Sequence, residues 1–352
     1  MERTVRVAIV GAGYMGSAHA RVIRRISGEI PNLVELSYII DIDKHRVDMA
    51  ARKYGGVPLA SIDLLPEGEV DFAIIATPTR YHYEAFIKLV EKGVRGFLIE
   101  KPMTRNLQEA VKLIEVEKEN KLWITVGHIE RFNPAVQALH KRIASGELGD
   151  ILTLIARRVG PFAARVRDTD VVYDLAVHEV DNALAIYRLL PYTIRSYTLG
   201  GLVSNLTDYT LAVLGYSQGF ASIEVNRVTP FKQRILYLTT RNGVLYLDYM
   251  KQEARIYRGE EEIYIHVNHE EPLYLEDLVT IESYANGLHP PIDTHQAFVA
   301  LYICEKILDS TKQNKEIILD KENDYKTFSD ILEEGLKNFN HYITSRFNTA
   351  KT

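Results

Sequence analysis

From Val5 to about His128, short apolar runs alternate with stretches whose apolar positions recur at helical spacing. The runs near Val5 to Val10, Val34 to Ile40, Gly56 to Leu59, Phe72 to Ala76, Gly96 to Ile99 and Trp123 to Val126 read as strands. Helices are expected between them, near Ser17 to Ile26, Lys44 to Tyr54, Tyr83 to Lys92 and Leu107 to Glu119. Strands separated by helices imply crossover connections, so this part predicts a doubly wound parallel sheet. After His128 the texture changes. A helix near Pro134 to Ser145, a strand near Ile151 to Val159 and an amphipathic segment from Val171 to Leu190 lead into β-rich sequence. Strands are expected near Ile194 to Leu199, Thr210 to Tyr216, Ala221 to Arg227, Arg234 to Thr239, Val244 to Tyr249, Ala254 to Tyr257 and Ile263 to Val267. Asn242-Gly243 falls between two of these and signals a type I′ hairpin, whose two central residues take positive φ. Helices near Thr294 to Leu308 and Tyr325 to Ile343 close the chain, the last with an apolar stripe that must pack on its own domain or on another subunit.

At 352 residues the chain exceeds the size of one growing core, so two domains are expected, 1–128 and 129–352. A net charge of -5 provides no basic field for nucleic acid or an anionic membrane. Cys304 is the one cysteine, which rules out an intrachain disulfide and suits a reducing cytoplasm. The apolar run ending at Val10 meets a Gly-rich turn and reads as a buried strand, not a secretion signal. No stretch approaches the roughly 18 uninterrupted apolar residues of a membrane span.

GAGYMG at 11–16 follows a strand directly and opens a helix, the context in which GxGxxG carries weight. Gly11 permits the tight turn, Gly13 lets backbone approach a pyrophosphate, and Gly16 lets the helix pack on the sheet. The helix N-terminus then offers unpaired N–H groups to the diphosphate. The first domain is therefore expected to be a Rossmann domain, followed by an α+β domain with a large, mainly antiparallel open sheet. Helices would cover one face of that sheet and another subunit the other, giving a homodimer or homotetramer. Asp41, 25 residues after Gly16, is placed to accept from the adenosine ribose and to repel a 2′-phosphate, which favours NAD over NADP. Lys44, His45 and Arg46 follow it and leave NADP open. Thr77 and Pro78 end a strand at the carboxyl edge of the sheet, where they would line the nicotinamide side or simply turn the chain.

Glu100-Lys101-Pro102 ends another strand at the same edge, and its lysine is either a loop cation or a placed one. Asp174, His178 and Asp181, spaced i, i+4, i+7, would share one face of an otherwise apolar helix, as a solvated stripe or a site. His266 and His269 have no third ligand nearby, so no metal is expected.

Together these features resemble the glucose-fructose oxidoreductase / inositol dehydrogenase / MocA family of sugar dehydrogenases. The resemblance runs from Val5 to about Leu319 and rests on GAGYMG with His19 after it, ATPTRYHYEA at 76–85, FLIEKP at 97–102, GHIERFNPA at 127–135 and DLAVHEVD at 174–181. It implies that Lys101, Asp174 and His178 form the catalytic group. Beside Gly11, Gly13, Gly16, Asp41, Thr77 and Pro78, it implies cofactor contacts from Tyr14, Met15, His82, Glu100 and Lys101. A narrower resemblance, to the UDP-N-acetylglucosamine 3-dehydrogenase branch, rests on GHIERFNPAV and ARRVGPFAARVRD. It implies a sugar or UDP-sugar substrate held by Lys101, Arg131, Asn133, Arg158, Arg165, Arg167, Asp174 and His178. Guanidinium forks, Arg157 among them, suit diphosphate oxygens, though a basic surface stretch has the same composition. A free polyol or monosaccharide substrate, or a non-catalytic sensor, is the alternative. Two positions depart from the family pattern: Glu179, where many relatives carry Asp, and Asp170, where they often carry Gly.

Alcohol oxidation needs a base for the hydroxyl proton. Deprotonating an ordinary lysine at pH 7 costs about 5 kcal/mol, whereas an ordinary histidine is already mostly neutral. This assigns His178 as base, Lys101 as the cation that steadies developing alkoxide, and Asp174 as the group that orients His178 or a second hydroxyl. Strong desolvation of the lysine would reverse the first two roles.

Overall fold

The computed structural model describes residues 4–162, 169–320 and 339. It divides into two compact units, one formed by Met1–Ile129, Glu271–Phe298 and Asn338–Thr352, the other by Glu130–Glu270 and Val299–Lys337. The predicted helix near Tyr325 to Ile343 lies outside the described residues, Phe339 apart.

The first unit is a six-stranded parallel sheet of β1 (Val5–Val10), β2 (Val34–Ile40), β3 (Val57–Leu59), β4 (Phe72–Ile75), β5 (Gly96–Glu100) and β6 (Trp123–Gly127), in the order β3-β2-β1-β4-β5-β6. Both faces are covered, so β4 and β5 are buried at every position and read as unbroken apolar runs rather than alternating ones. The helices are α1 (Tyr14–Glu29), α2 (Lys44–Tyr54), α3 (His82–Glu91) and α4 (Leu107–Asn120). Strand order reverses between β1 and β4, so the loops after these two strands flank the crevice where ligands bind in such sheets.

A further helix of this unit, Pro272–Ala285, is absent from the sequence reading. Leu273, Tyr274, Leu275, Leu278, Val279 and Ile281 are buried, and so are Glu276, Asp277, Thr280 and Ser283 between them. A helix buried on nearly every side has no polar face, and without one the helical period disappears. It is anchored by Tyr284, whose ring meets Phe72 and Trp123 edge-on at 5.1 and 5.5 Å and whose hydroxyl donates to Asp71 O at 2.9 Å.

The second unit adds α5 (Pro134–Ala144) and α6 (Val177–Tyr187) to a nine-stranded sheet. Its strands are β7 (Ile151–Pro161), β8 (Thr193–Gly200), β9 (Thr207–Tyr216), β10 (Gly219–Asn226), β11 (Val228–Thr240), β12 (Gly243–Asp248), β13 (Glu253–Arg258), β14 (Glu261–Ile265) and β15 (Ile317–Ile318). They lie in the order β14-β13-β12-β11-β7-β10-β9-β8-β15, antiparallel except where β10 runs parallel to β7. The buried helix of the first unit is α7, and α8 spans Thr294–Gln313.

Leu154 and Ala156, Ile223 and Val225, Leu236 and Leu238, and Leu245 and Leu247 point to one face, where α5, α6 and the later turns of α8 complete the core. The opposite face carries Ile155, Tyr197, Leu199, Phe220, Tyr237, Tyr257 and Tyr264, all exposed. The hairpin expected at Asn242-Gly243 is present, but Thr240 pairs with Gly243, so its central residues are Arg241 and Asn242. Of the expected pair only Gly243 has positive φ, at 141°. Asn242 is held otherwise: its N–H donates to Leu148 O and its side-chain amide to Glu147 O, which fixes the turn from outside.

Candidate active site

Gly11 follows β1 at φ 98°, and a Cβ there would stand 2.6 Å from Ala76 O at the neighbouring strand end. A Cβ on Gly16 would stand 1.6 Å from Gly11 O, so the loop and the first turn of α1 close on each other only as glycines. Nothing lies within 4 Å of a Cβ on Gly13, the cap residue of α1, and no side chain caps that helix end. The positive end of α1 is thus left without a side-chain cap, with room over Gly13. Asp41 accepts from Ala12 N–H at 2.6 Å and Asp43 N–H at 2.8 Å, fixing the second strand end to the glycine loop. Each oxygen keeps a lone pair for a ribose hydroxyl. Thr77 Oγ1 is buried without a hydrogen-bond partner among the described residues, and Pro78 beside it is exposed. An uncapped helix end, open space over Gly13 and an orphaned hydroxyl on the facing strand end fit a dinucleotide.

Lys101 leaves β5 half-buried, and the Lys101–Pro102 peptide bond is cis. Its neighbours are tightly held. Glu100 is buried and accepts Lys101 N–H on Oε2 at 3.2 Å, while its Oε1 lies 3.0 Å from His19 Nε2. His82 is buried, with Nε2 2.9 Å from Thr77 O and Nδ1 3.1 Å from Pro102 O. It braces the loop after β4 against the loop after β5; burial pushes its pKa below the ordinary histidine value despite these carbonyls. The predicted cofactor contacts Glu100 and His82 thus lie one layer behind the loops that carry Thr77 and Lys101. Asp277 of α7 completes this layer by contacting His19 Nδ1 at 2.8 Å. Sequence reasoning had no access to it, because α7 shows no period and the pair is separated by 258 residues.

In the second unit Asp174 lies in a π-helical turn, Val172–Ala176, and His178 in the first turn of α6. Asp170, one of the departures from the family pattern, starts this segment by accepting Val172 N–H on its side chain and Asp174 N–H on its carbonyl. The wider turn breaks the i, i+4, i+7 phase, and the expected polar stripe divides. His178 is nearly buried and Asp174 partly exposed, whereas Asp181 is inside the unit under the fork of Arg131, with contacts of 2.7 and 2.6 Å. Arg227, which the sequence did not single out, lies 3.9 Å from Asp174 and donates from Nη2 to Thr169 O; its Nη1 is buried with no partner among the described residues.

Of the arginines expected to gather on a diphosphate, the two described ones, Arg157 and Arg158, do not come together. Arg157 and Arg158 are consecutive on β7, so they point to opposite faces of the sheet. Arg157 pairs with Glu224 at 2.8 Å and with Gln233 on the open face. Arg158 is 2% exposed and donates to Glu179 at 2.6 Å and Glu130 at 2.8 Å. Burial works against its charge, but the two carboxylates outweigh it and hold the pKa above the usual arginine value. Burial likewise raises the pKa of Glu179, which also accepts Tyr249 OH at 2.9 Å. Asn133 caps α5 through Ala135 N–H and donates to Glu130 and Tyr249 O. The polar ends of Arg131, Asn133 and Arg158 are thus taken up within their own unit. Arg165 and Arg167 lie outside the described residues.

Residues 5–128 match the oxidoreductase family with an NAD-binding Rossmann fold. UDP-N-acetylglucosamine 3-dehydrogenase of Acidithiobacillus ferrooxidans is 29% identical over 72% of this chain and 77% of its own. The scyllo-inositol 2-dehydrogenase (NAD(+)) of Bacillus subtilis is 30% identical over 66% of this chain and 70% of its own. The solved structure of the former enzyme superposes with a TM-score of 0.78 at 24% identity, covering 88% of this chain and 98% of that one. Levoglucosan dehydrogenase, in complex with NADH and levoglucosan, does so at 0.80 and 17%, covering 90% and 99%. At these identities the two superpositions establish the fold.

Proposed function

The chain belongs to the glucose-fructose oxidoreductase / inositol dehydrogenase / MocA family of oxidoreductases, and from that membership we propose an NAD-dependent dehydrogenase that oxidises a secondary hydroxyl of a sugar, C3 of UDP-N-acetylglucosamine first. Bound NAD supplies the hydride acceptor at its nicotinamide ring. The protein supplies the rest. His178 takes the hydroxyl proton, Lys101 holds the oxygen as negative charge develops, and Asp174 orients His178 or a neighbouring hydroxyl. The observation that carries a polar, oxygen-rich substrate is Nη1 of Arg227 beside Asp174, buried and without a partner among the described residues: a buried guanidinium N–H without an acceptor costs free energy unless an oxygen fills the position. Arg165 and Arg167 are assigned to the diphosphate, and Arg227 joins them in place of Arg131, Asn133 and Arg158, whose forks and amide already have partners.

A second reading, a free polyol substrate, is supported by the identity to the inositol dehydrogenase. A panel of UDP-sugars, free sugars and inositols with NAD and NADP, with mass spectrometry of products, separates the readings. UDP-N-acetylglucosamine is expected to yield NADH and a product lighter by two hydrogens, with kcat/KM at least about a hundredfold above free N-acetylglucosamine, since charged phosphate contacts supply that much binding. Turnover of inositol alone would transfer the assignment to the polyol reading. Ligand binding with no absorbance change on any compound would make the protein a sensor.

The exposed aromatic face of the nine-stranded sheet is proposed as the contact between identical subunits, in a dimer or tetramer in the cytoplasm. So many exposed aromatic and aliphatic side chains on one sheet face are unusual on a monomer. Light scattering is expected to give the oligomer mass, and Tyr237→Asp to shift it towards monomer with Tm held within a few degrees. A monomeric wild type at micromolar concentration ends that proposal.

A further inference from the structure

His19 lies on α1 one turn beyond the glycine loop, with no exposed surface. Its two ring nitrogens face two carboxylates: Nδ1 is 2.8 Å from Asp277 Oδ1 and Nε2 is 3.0 Å from Glu100 Oε1. A neutral imidazole has a single N–H and donates to only one of them. The imidazolium donates to both, and each contact is then charge-assisted. Burial alone would strip the charge from His19, but Asp277 and Glu100 outweigh it and hold the pKa well above the ordinary histidine range. Burial also opposes the charge on Glu100, and there the hydrogen bond and charge of His19 prevail, aided by Lys101. The charged and titratable groups facing Asp277, His19 and Glu100 are Glu271, the residue before α7, Lys101, the residue after β5, and His82 from α3.

The free oxygen of Glu100 accepts Lys101 N–H. We propose that His19 and Asp277 are positioning residues for Lys101: the chain Asp277–His19–Glu100 holds the Glu100 carboxylate on Lys101 N–H and so fixes the start of the loop that carries the catalytic cation. Without the histidine charge, Glu100 and Asp277 become two buried carboxylates with no cation between them, and Glu100 gains a proton and a weaker grip on Lys101 N–H. The effect on turnover rests on the assignment of Lys101 to catalysis, whereas the clamp itself does not.

Three measurements test this. In the wild-type protein, 15N NMR of the histidine side chains is expected to show both ring nitrogens of His19 protonated from pH 6 to pH 9; a neutral ring at pH 7 overturns the proposal. Asp277→Asn keeps the shape of the side chain and removes its charge. Amide exchange of Lys101, followed by mass spectrometry without cofactor, is expected to quicken by about tenfold or more in this variant while the β1 amides are unchanged. Equal exchange in variant and wild type overturns the proposal. For turnover, Asp277→Asn is expected to lower kcat about tenfold with KM for NAD within about twofold, the mark of a misplaced catalytic group. His19→Gln should reproduce the pattern, and Asp277→Glu should partly restore it. A fall in kcat matched by equal loss of NAD binding and Tm would mean a structural role only. A protein that passes the NMR and exchange tests yet oxidises no sugar keeps the clamp and loses the dehydrogenase reading.

Discussion

Replacing His178 by alanine is expected to lower kcat by at least about a hundredfold, the usual contribution of a general base, while NAD binding is unchanged. The imidazole belongs to the first turn of α6, in the unit that does not contain the glycine loop, so its removal leaves Gly11, Gly13, Gly16 and Asp41 intact. Titration of NAD by calorimetry and initial rates on the purified variant separate the two effects. Added imidazole should restore part of the rate. Near-normal turnover would exclude His178 as base and assign proton removal to Lys101, the reversal that desolvation of a lysine permits.

The second large effect concerns the glycine loop, where neighbouring substitutions should fail in different ways. Gly16→Ala drives a Cβ to within 1.6 Å of Gly11 O, and Gly11 has no room to retreat because its own Cβ position already faces Ala76 O at 2.6 Å. The loop and α1 must separate, at a cost of roughly 1–3 kcal/mol or more, and NAD binding is expected to be lost together with several degrees of Tm. Gly13→Ala meets nothing within 4 Å, so Tm should stay within about 2 °C. Its methyl group would nevertheless stand where the pyrophosphate approaches, and the Kd for NAD should rise by about tenfold or more. If Gly13→Ala binds NAD as the wild type does, the diphosphate does not lie over Gly13.

The parallel sheet was legible because strands buried on both faces and separated by amphipathic helices leave a strong local pattern, and α2 begins and ends where its period does, at Lys44 and Tyr54. The glycine loop was legible for the same reason, since turn, cap and strand are adjacent in sequence. What escaped was of three kinds. The helix α7 has no polar face, so the pattern that reveals helices was missing. Arg157 and Arg158 look like a cluster when written as a string, yet strand alternation sends them apart, a consequence the predicted strand already contained. Asp277 and Arg227 acquire their meaning from partners distant along the chain, and no window of sequence contains both halves of such a pair.

The unit that holds the glycine loop is discontinuous in sequence, since it is completed by Glu271–Phe298 after the whole nine-stranded sheet has intervened. On the ribosome, the first six strands therefore emerge long before α7, and the nascent sheet must wait about 140 residues for the helix that covers it and for the carboxylate that faces His19. At roughly 5–20 residues per second this is an interval of several seconds or more during which an apolar surface stands uncovered. A chain stopped near residue 129 would keep that surface open, so the first unit expressed alone is expected to aggregate, and to become soluble when α7 is supplied by fusion.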